Sequence, residues 1–312
     1  MSRSRGRTHP HRRRTKMPDE NGQVRLSHDG TEVRISVHGA EMQSLVGHDG
    51  HEYLWQAGLA WPRHAPLLFP AIGRHPGDVL QVGAEEFPLG HLGFARDLDF
   101  GLSEQGRGHA TFTLRHSAAT LRQFPFAFQL TITYRLLPSG VEATFRLRNP
   151  GNRTMPFGIG LHPAFKWPLD AGAPREEHVL VFDQPETART RLVQENLLQP
   201  ESMVANHLPT GVMELLPQRF DHGAIVFDGL QSVSAEYRSP TGRAVRLSWT
   251  GFRELGVWSP AEGELLCIEP WRGLPAPHDW ADDERNRPDL EQLGPGQERT
   301  YTLRIELAPP AG

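Results

Sequence analysis

Apolar and polar residues alternate with a period of two along much of this chain, the mark of strands with one buried face. Val33, Ile35 and Val37 are separated by Arg34 and Ser36. Leu130, Ile132 and Tyr134 alternate likewise. After the turn signal Pro138-Ser139-Gly140 so do Val141, Ala143, Phe145 and Leu147, which predicts an antiparallel hairpin. Val245-Arg246-Leu247-Ser248-Trp249 repeats the pattern, and Tyr301, Leu303, Ile305 and Leu307 follow a Gly294-Pro295-Gly296 turn. No long amphipathic helix is predicted; the best helical stretch, Thr187 to Leu198, is short and reads as well as a strand. The 31 glycines and 27 prolines punctuate many short segments, as in a sheet-on-sheet fold. There is no internal repeat and no linker between residues 22 and 308. The expected organisation is one all-β domain over residues 21–312, behind a basic, disordered tail over residues 1–20.

Composition narrows the class. At 38% hydrophobic and 22% charged residues the chain reads as a soluble globular protein. A single cysteine, Cys267, excludes an internal disulfide and a multi-cysteine zinc site, and fits a reducing cytoplasm. No apolar run nears the roughly 20 residues that a membrane helix needs, and the basic N-terminus is not followed by the apolar stretch of a secretory signal. The net charge of −4 hides an asymmetry: residues 1–16 hold six arginines and one lysine, leaving 26 basic against 37 acidic residues, or −11, in the remainder. The tail has no aromatic to stack on bases and the body is acidic, so neither a nucleic-acid nor a membrane partner is predicted.

Candidate chemistry gathers in four segments. In Leu265-Leu266-Cys267-Ile268-Glu269-Pro270-Trp271, four apolar residues run into a lone carboxylate, a proline and an indole. A strand ending this way delivers one desolvated acid to the mouth of a pocket, where burial raises its pKa and makes it a better base. Trp271 offers the kind of apolar face on which sugar rings stack. Pro66 to Arg74 is an apolar run ending in Gly73 and Arg74, a guanidinium suited to hydroxyl or phosphate oxygens. His91-Leu92-Gly93-Phe94-Ala95-Arg96-Asp97 crowds a histidine, an aromatic and an Arg-Asp pair together. Gly158-Ile159-Gly160-Leu161-His162-Pro163 holds one imidazole beside a rigid proline. One histidine and one distant glutamate are the least a site needs to move protons onto and off a substrate together. No second acid has comparably apolar surroundings, which speaks against a two-carboxylate hydrolase. H-E-x-x-H, Walker, G-x-G-x-x-G and G-x-S-x-G motifs are all absent; no local spacing supports a metal site, which leaves only one built by convergence of distant residues.

Taken in order, "LLFPAIGR", "HLGFARD", "GIGLHPAF" and "LLCIEPWRGLP" resemble the aldose 1-epimerase (galactose mutarotase-like) superfamily, particularly its short bacterial branch. Trp258 in "LGVWSP" and the closing "LGPGQERTYTLRI" are similar to it too, so the resemblance spans about Val24 to Leu307. It implies a β-supersandwich and cofactor-free interconversion of the α and β anomers of an aldose, with Glu269 as general base and His162 as general acid. Arg74, His91, Arg96, Trp258 and Trp271 are the residues that would hold the sugar. Two departures stand out. Leu92 occupies the place where the family usually has histidine before "GFAR", and His91 sits one residue earlier. Phe220-Asp221-His222-Gly223-Ala224 has glycine where an acid is expected, which leaves Asp221 to stand in. A hexose 6-phosphate, or mere binding of a sugar without turnover, are the alternative readings. After residue 16 the only lysine is Lys166, so a phosphate site would have to be built of arginines. The expected partner is a small sugar, and the expected state a monomer or homodimer.

Overall fold

The computed structural model describes residues 18–199 and 208–310; most of the basic tail lies outside them. Within them the fold is all-β, with a single four-residue α-helix at Ala118–Leu121. The alternating segments become strands: Thr31–Ser36 is the middle strand of a three-stranded sheet, and the others lie in the first of two large antiparallel sheets. In the nine-stranded sheet, the predicted hairpin Gln129–Leu137 and Gly140–Arg148 pairs onward to Glu298–Ala308, which in turn pairs with Ala244–Thr250. The eight-stranded sheet has at its centre Ala224–Asp228, Glu254–Trp258 and Leu265–Arg272.

Thr187 to Leu198 is a hairpin rather than a helix. Strands Arg189–Gln194 and Leu197–Leu198 are joined by Glu195 and Asn196, both in the left-handed region at φ 52° and 65°. Two consecutive positive φ values match the right-handed strand twist in a two-residue turn, which no helix would supply.

Leu265–Arg272 is covered on both faces, which explains its unbroken apolar run. Leu266 and Ile268 join Phe227 and Val257 in a core shared with Ile132, Phe145 and Leu303 of the nine-stranded sheet. The alternate residues point the other way. Leu265 and Cys267 pack with Ala164, Trp55, Trp61 and Trp258; Trp271 packs with Leu68, Leu92, Val226 and Leu274. Glu269 therefore stands between two outer apolar clusters.

The strand does not end at the Glu269-Pro270 step, as an acid followed by a proline suggests, but continues to Arg272. A proline is tolerated in this interior because the ladder is interrupted on one side. Lys166 to Ala164 pair with Leu265 to Cys267, and pairing resumes only where Gly160 and Ile159 meet Trp271 and Arg272. The missing N–H falls opposite the break, where no carbonyl waits for it. The break is filled by His162-Pro163, and His162 is thereby brought to the level of Glu269. Replacing Ile268 by Ala, which empties the shared core, is expected to lower the unfolding free energy by about 2–5 kcal/mol in urea titrations. An unchanged midpoint would contradict this packing.

Candidate active site

His162, Glu269, His91, Arg96, Trp258 and Trp271 line one cavity of about 230 Å³, together with Trp61, Gly73, Leu92, Glu195, Asn196 and Pro275. The space is at the small end for ligand sites and suits a monosaccharide-sized guest. Trp271 forms part of the wall because two glycines give way to it. A Cβ on Gly256, directly across from Glu269, would lie 2.6 Å from the indole, and so would one on Gly160. His162 is fixed from its backbone, donating its N–H to the Pro66 carbonyl at 3.0 Å. Its imidazole stacks on Trp61 at 4.9 Å and 27°, with the Trp258 ring edge-on at 6.0 Å.

Nε2 of His162 lies 3.1 Å from Oε2 of Glu269. Glu269 is 1% exposed, and its Oε2, the Nδ1 of His162 and the Nε1 of Trp271 are buried without a hydrogen-bond partner. Burial holds the Glu269 carboxyl well above the usual carboxylate range; Trp271 is the nearest donor that could offset this, but it is poorly aligned. Burial drives the His162 pKa down to about 3 against a backbone hydrogen bond that raises it, and the Arg96 guanidinium works in the same direction as burial. Both shifts favour the neutral forms, Glu269-COOH beside neutral His162, which together hold one proton. The pair Glu269-COOH with neutral His162 and the pair Glu269 carboxylate with His162 imidazolium differ only in where that proton sits.

Four other glutamates are buried: Glu41, Glu186, Glu254 and Glu284. This corrects the expectation that no second acid has apolar surroundings. Each of the four, however, is supplied with donors. Glu41 accepts the N–H groups of His64 and Ala65; Glu186 accepts those of Thr187, Ala188 and Ser232. Glu254, pushed up to about 7 by burial, accepts the Gly273 N–H and faces Arg272. Glu284 takes Arg287 and His75. None of them lines the cavity; Glu284 Oε2 is also without a partner, but its Oε1 is held by Arg287 and His75.

His91 reaches the cavity from a turn, where register does not apply. Leu92 and Gly93 follow it at φ 62° and 70°. A leucine in the left-handed region is uncommon and costs about 1–3 kcal/mol; here it turns the chain so that His91 faces inward. Burial first, then Arg96 and Arg74, lower His91 to about 4, while a hydrogen bond with the Asn196 side chain opposes them. His91 is thus neutral at pH 7. Arg96 donates to the His91 carbonyl at 2.9 Å and lies 3.5 Å from Asp97.

Two expected residues are not brought in. Arg74 turns outward, 3.0 Å from Asp78 and 42% exposed, while only its neighbour Gly73 touches the cavity. Asp221 is exposed at the end of a short 3-10 turn. At the glycine where an acid was expected, Gly223, φ is 110° and a Cβ would lie 2.1 Å from the Val193 carbonyl oxygen, so no side chain fits. The acid at the rim is instead Glu195 of the hairpin turn. Neither it nor Asn196 stood out in the sequence, because their importance comes from a fold contact; Trp61, an aromatic in a polar glycine-containing loop, carried a usable signal.

A family model described as aldose 1-epimerase matches residues 22–305. Protein LacX of Lactococcus lactis is 28% identical over 295 residues, covering 90% of this chain and 99% of LacX. A solved galactose mutarotase related enzyme from Lactobacillus acidophilus superposes with a TM-score of 0.86 at 28% identity, covering 93% of this chain and 98% of the other. A galactose mutarotase-like protein from Lactobacillus casei gives 0.83 at 28% identity, with 92% and 100% covered.

A carboxyl whose pKa is raised by folding contributes stability below its unfolded value of 4.5, and that contribution is lost as pH rises toward the folded value. Glu269→Gln, which cannot ionise, is therefore expected to gain stability relative to the wild type as pH rises above 4.5 in urea titrations. A difference independent of pH would contradict the raised pKa.

Proposed function

The chain belongs to the aldose 1-epimerase family, and from that premise we propose that it interconverts the α and β anomers of an unphosphorylated hexose by general acid–base ring opening and closure. The observation that supports this most is the unpartnered, desolvated carboxyl of Glu269 set 3.1 Å from His162 at the wall of a sugar-sized cavity.

The pair enters the reaction as Glu269 carboxylate and His162 imidazolium, the tautomer that a polar sugar ring stabilises on binding. Glu269 removes the proton of the anomeric hydroxyl while His162 protonates the ring oxygen. The bond from C1 to the ring oxygen breaks and C1 becomes an aldehyde. Glu269 is now protonated and His162 neutral, the form that burial favours when the cavity is empty. Rotation about C1–C2 presents the other carbonyl face. Return of both protons along the same paths closes the opposite anomer, so no net charge or proton is gained. Trp61 and Trp258 hold the imidazole plane throughout. Trp271 offers the ring an apolar face, and neutral His91, Arg96 and Glu195 receive hydroxyls.

Charge among the described lining residues supports a substrate without phosphate. Arg96 is the one arginine among the lining residues and no lysine is among them, while Glu195 adds negative charge at the rim. Arg74, the other arginine in reach by sequence, is committed to Asp78. A phosphate dianion would meet one guanidinium where tight sites supply bidentate clusters.

Magnetisation transfer between anomers by NMR tests this on glucose, galactose and glucose 6-phosphate. Wild type is expected to accelerate exchange of a free hexose most. Glu269→Gln and His162→Asn are each expected to slow it by about 10²–10⁴-fold, whereas His91→Ala is expected to raise KM more than it lowers kcat. Binding of sugar with no acceleration of any of the three would leave a carbohydrate-binding protein; fastest exchange of the phosphate ester would overturn the free-hexose assignment.

A further inference from the structure

Cys267 is the chain's only cysteine, and it stands two residues from Glu269 on the same face of the same strand. Ala164 pairs with Cys267 at the edge of the break in the ladder, and His162-Pro163 precedes it in the chain at the level of Glu269. The result is a cluster of three potential metal donors. One ligand atom each from His162, Cys267 and Glu269 lie within 4.8 Å of one another, all buried. Two of these side chains also have buried polar atoms without partners: Glu269 Oε2, on a side chain 1% exposed, and His162 Nδ1, on one 11% exposed. The cysteine therefore does not stand alone: the other two donors already lack the hydrogen bonds that buried polar atoms normally have.

The geometry points to a site for a thiophilic divalent cation, held by His162, Cys267 and Glu269, whose occupation blocks the acid–base pair. The inference that occupation stops turnover rests on the proposed function; the site itself does not. A thiolate, an imidazole and a carboxylate with a fourth position open to the cavity is a donor set that suits zinc or cadmium, while magnesium and calcium prefer oxygen alone. Charge favours it as well. A doubly positive ion with one thiolate, one carboxylate and a neutral imidazole is neutral overall, so it can be buried at little electrostatic cost. Two protons leave on binding: that of the thiol and the one that His162 and Glu269 share. The metal takes both nitrogen and oxygen lone pairs that proton transfer needs, and its open position faces the space the sugar would fill. The cation reaches the site through the cavity, since Cys267 itself is fully buried.

Cadmium is the probe, because a thiolate bound to it absorbs in the near ultraviolet and Cys267 is the only thiol in the full chain. The chain's 16 histidines therefore cannot produce the band. Titration of the wild type is expected to reach one cadmium-thiolate per chain. The band is expected to vanish in Cys267→Ser, and the cadmium affinity to fall by at least about tenfold in both Glu269→Gln and His162→Asn. Anomer exchange by the wild type is expected to fall in step with the band and to return with EDTA. In Cys267→Ser, half-inhibition relative to its own metal-free rate should need at least about tenfold more cadmium. No band at saturating cadmium, a band indifferent to Glu269 and His162, or a filled site with undiminished exchange would each overturn the proposal. A chain that shows the band but no exchange before metal is added would remove the epimerase reading and keep the ligand set, so the two failures are told apart.

Discussion

The site depends on one carboxyl group that the fold buries and does not supply with a donor. Burying an ionisable group without a partner is costly, and the molecule avoids that cost at Glu41, Glu186, Glu254 and Glu284 with backbone N–H groups or arginines. At Glu269 it does not. The desolvation that remains favours the protonated carboxyl and the neutral form of the neighbouring imidazole. No protein donor competes with a substrate hydroxyl for this oxygen, and a bound hydroxyl biases on which side of the pair the proton rests.

Topology makes this arrangement possible. Strand Leu265–Arg272 is covered on both faces, so an acid on it is desolvated wherever it points. A continuous neighbouring strand would cover Glu269 on one side. Instead the partner leaves the ladder at His162-Pro163, which accommodates the missing N–H of Pro270 and sets an imidazole beside the carboxyl. The two prolines are thus parts of one device. Gly256 and Gly160 complete it by leaving room for the Trp271 indole.

Much of this was legible before the fold was known, and the boundary between what was and was not is physical. Period-two alternation at Leu130 to Leu147 and at Tyr301 to Leu307 survives as strands because one face of each is in the shared core. The central strand was legible as an apolar run ending in an acid, but its true end was not, since only the ladder break explains why Pro270 lies inside it. Local motifs marked His162, Glu269, His91, Arg96, Trp258 and Trp271, all of which face one cavity. Arg74 and Asp221 were read from position in a motif, and side-chain direction there is set by contacts far along the chain: Asp78 draws Arg74 outward, and the Val193 carbonyl forbids any side chain at Gly223. The hairpin residues Glu195 and Asn196 arrive at the rim through a pairing that no local pattern discloses.

The central claim is that His162 and Glu269 work as one unit around a single proton. The most direct measurement is anomer exchange by NMR in Glu269→Gln, His162→Asn and the double variant. If the two share one proton, loss of either removes the transfer entirely, and the double variant exchanges anomers about as slowly as the slower single variant. If the losses multiply, the two groups act independently, and the shared proton is contradicted.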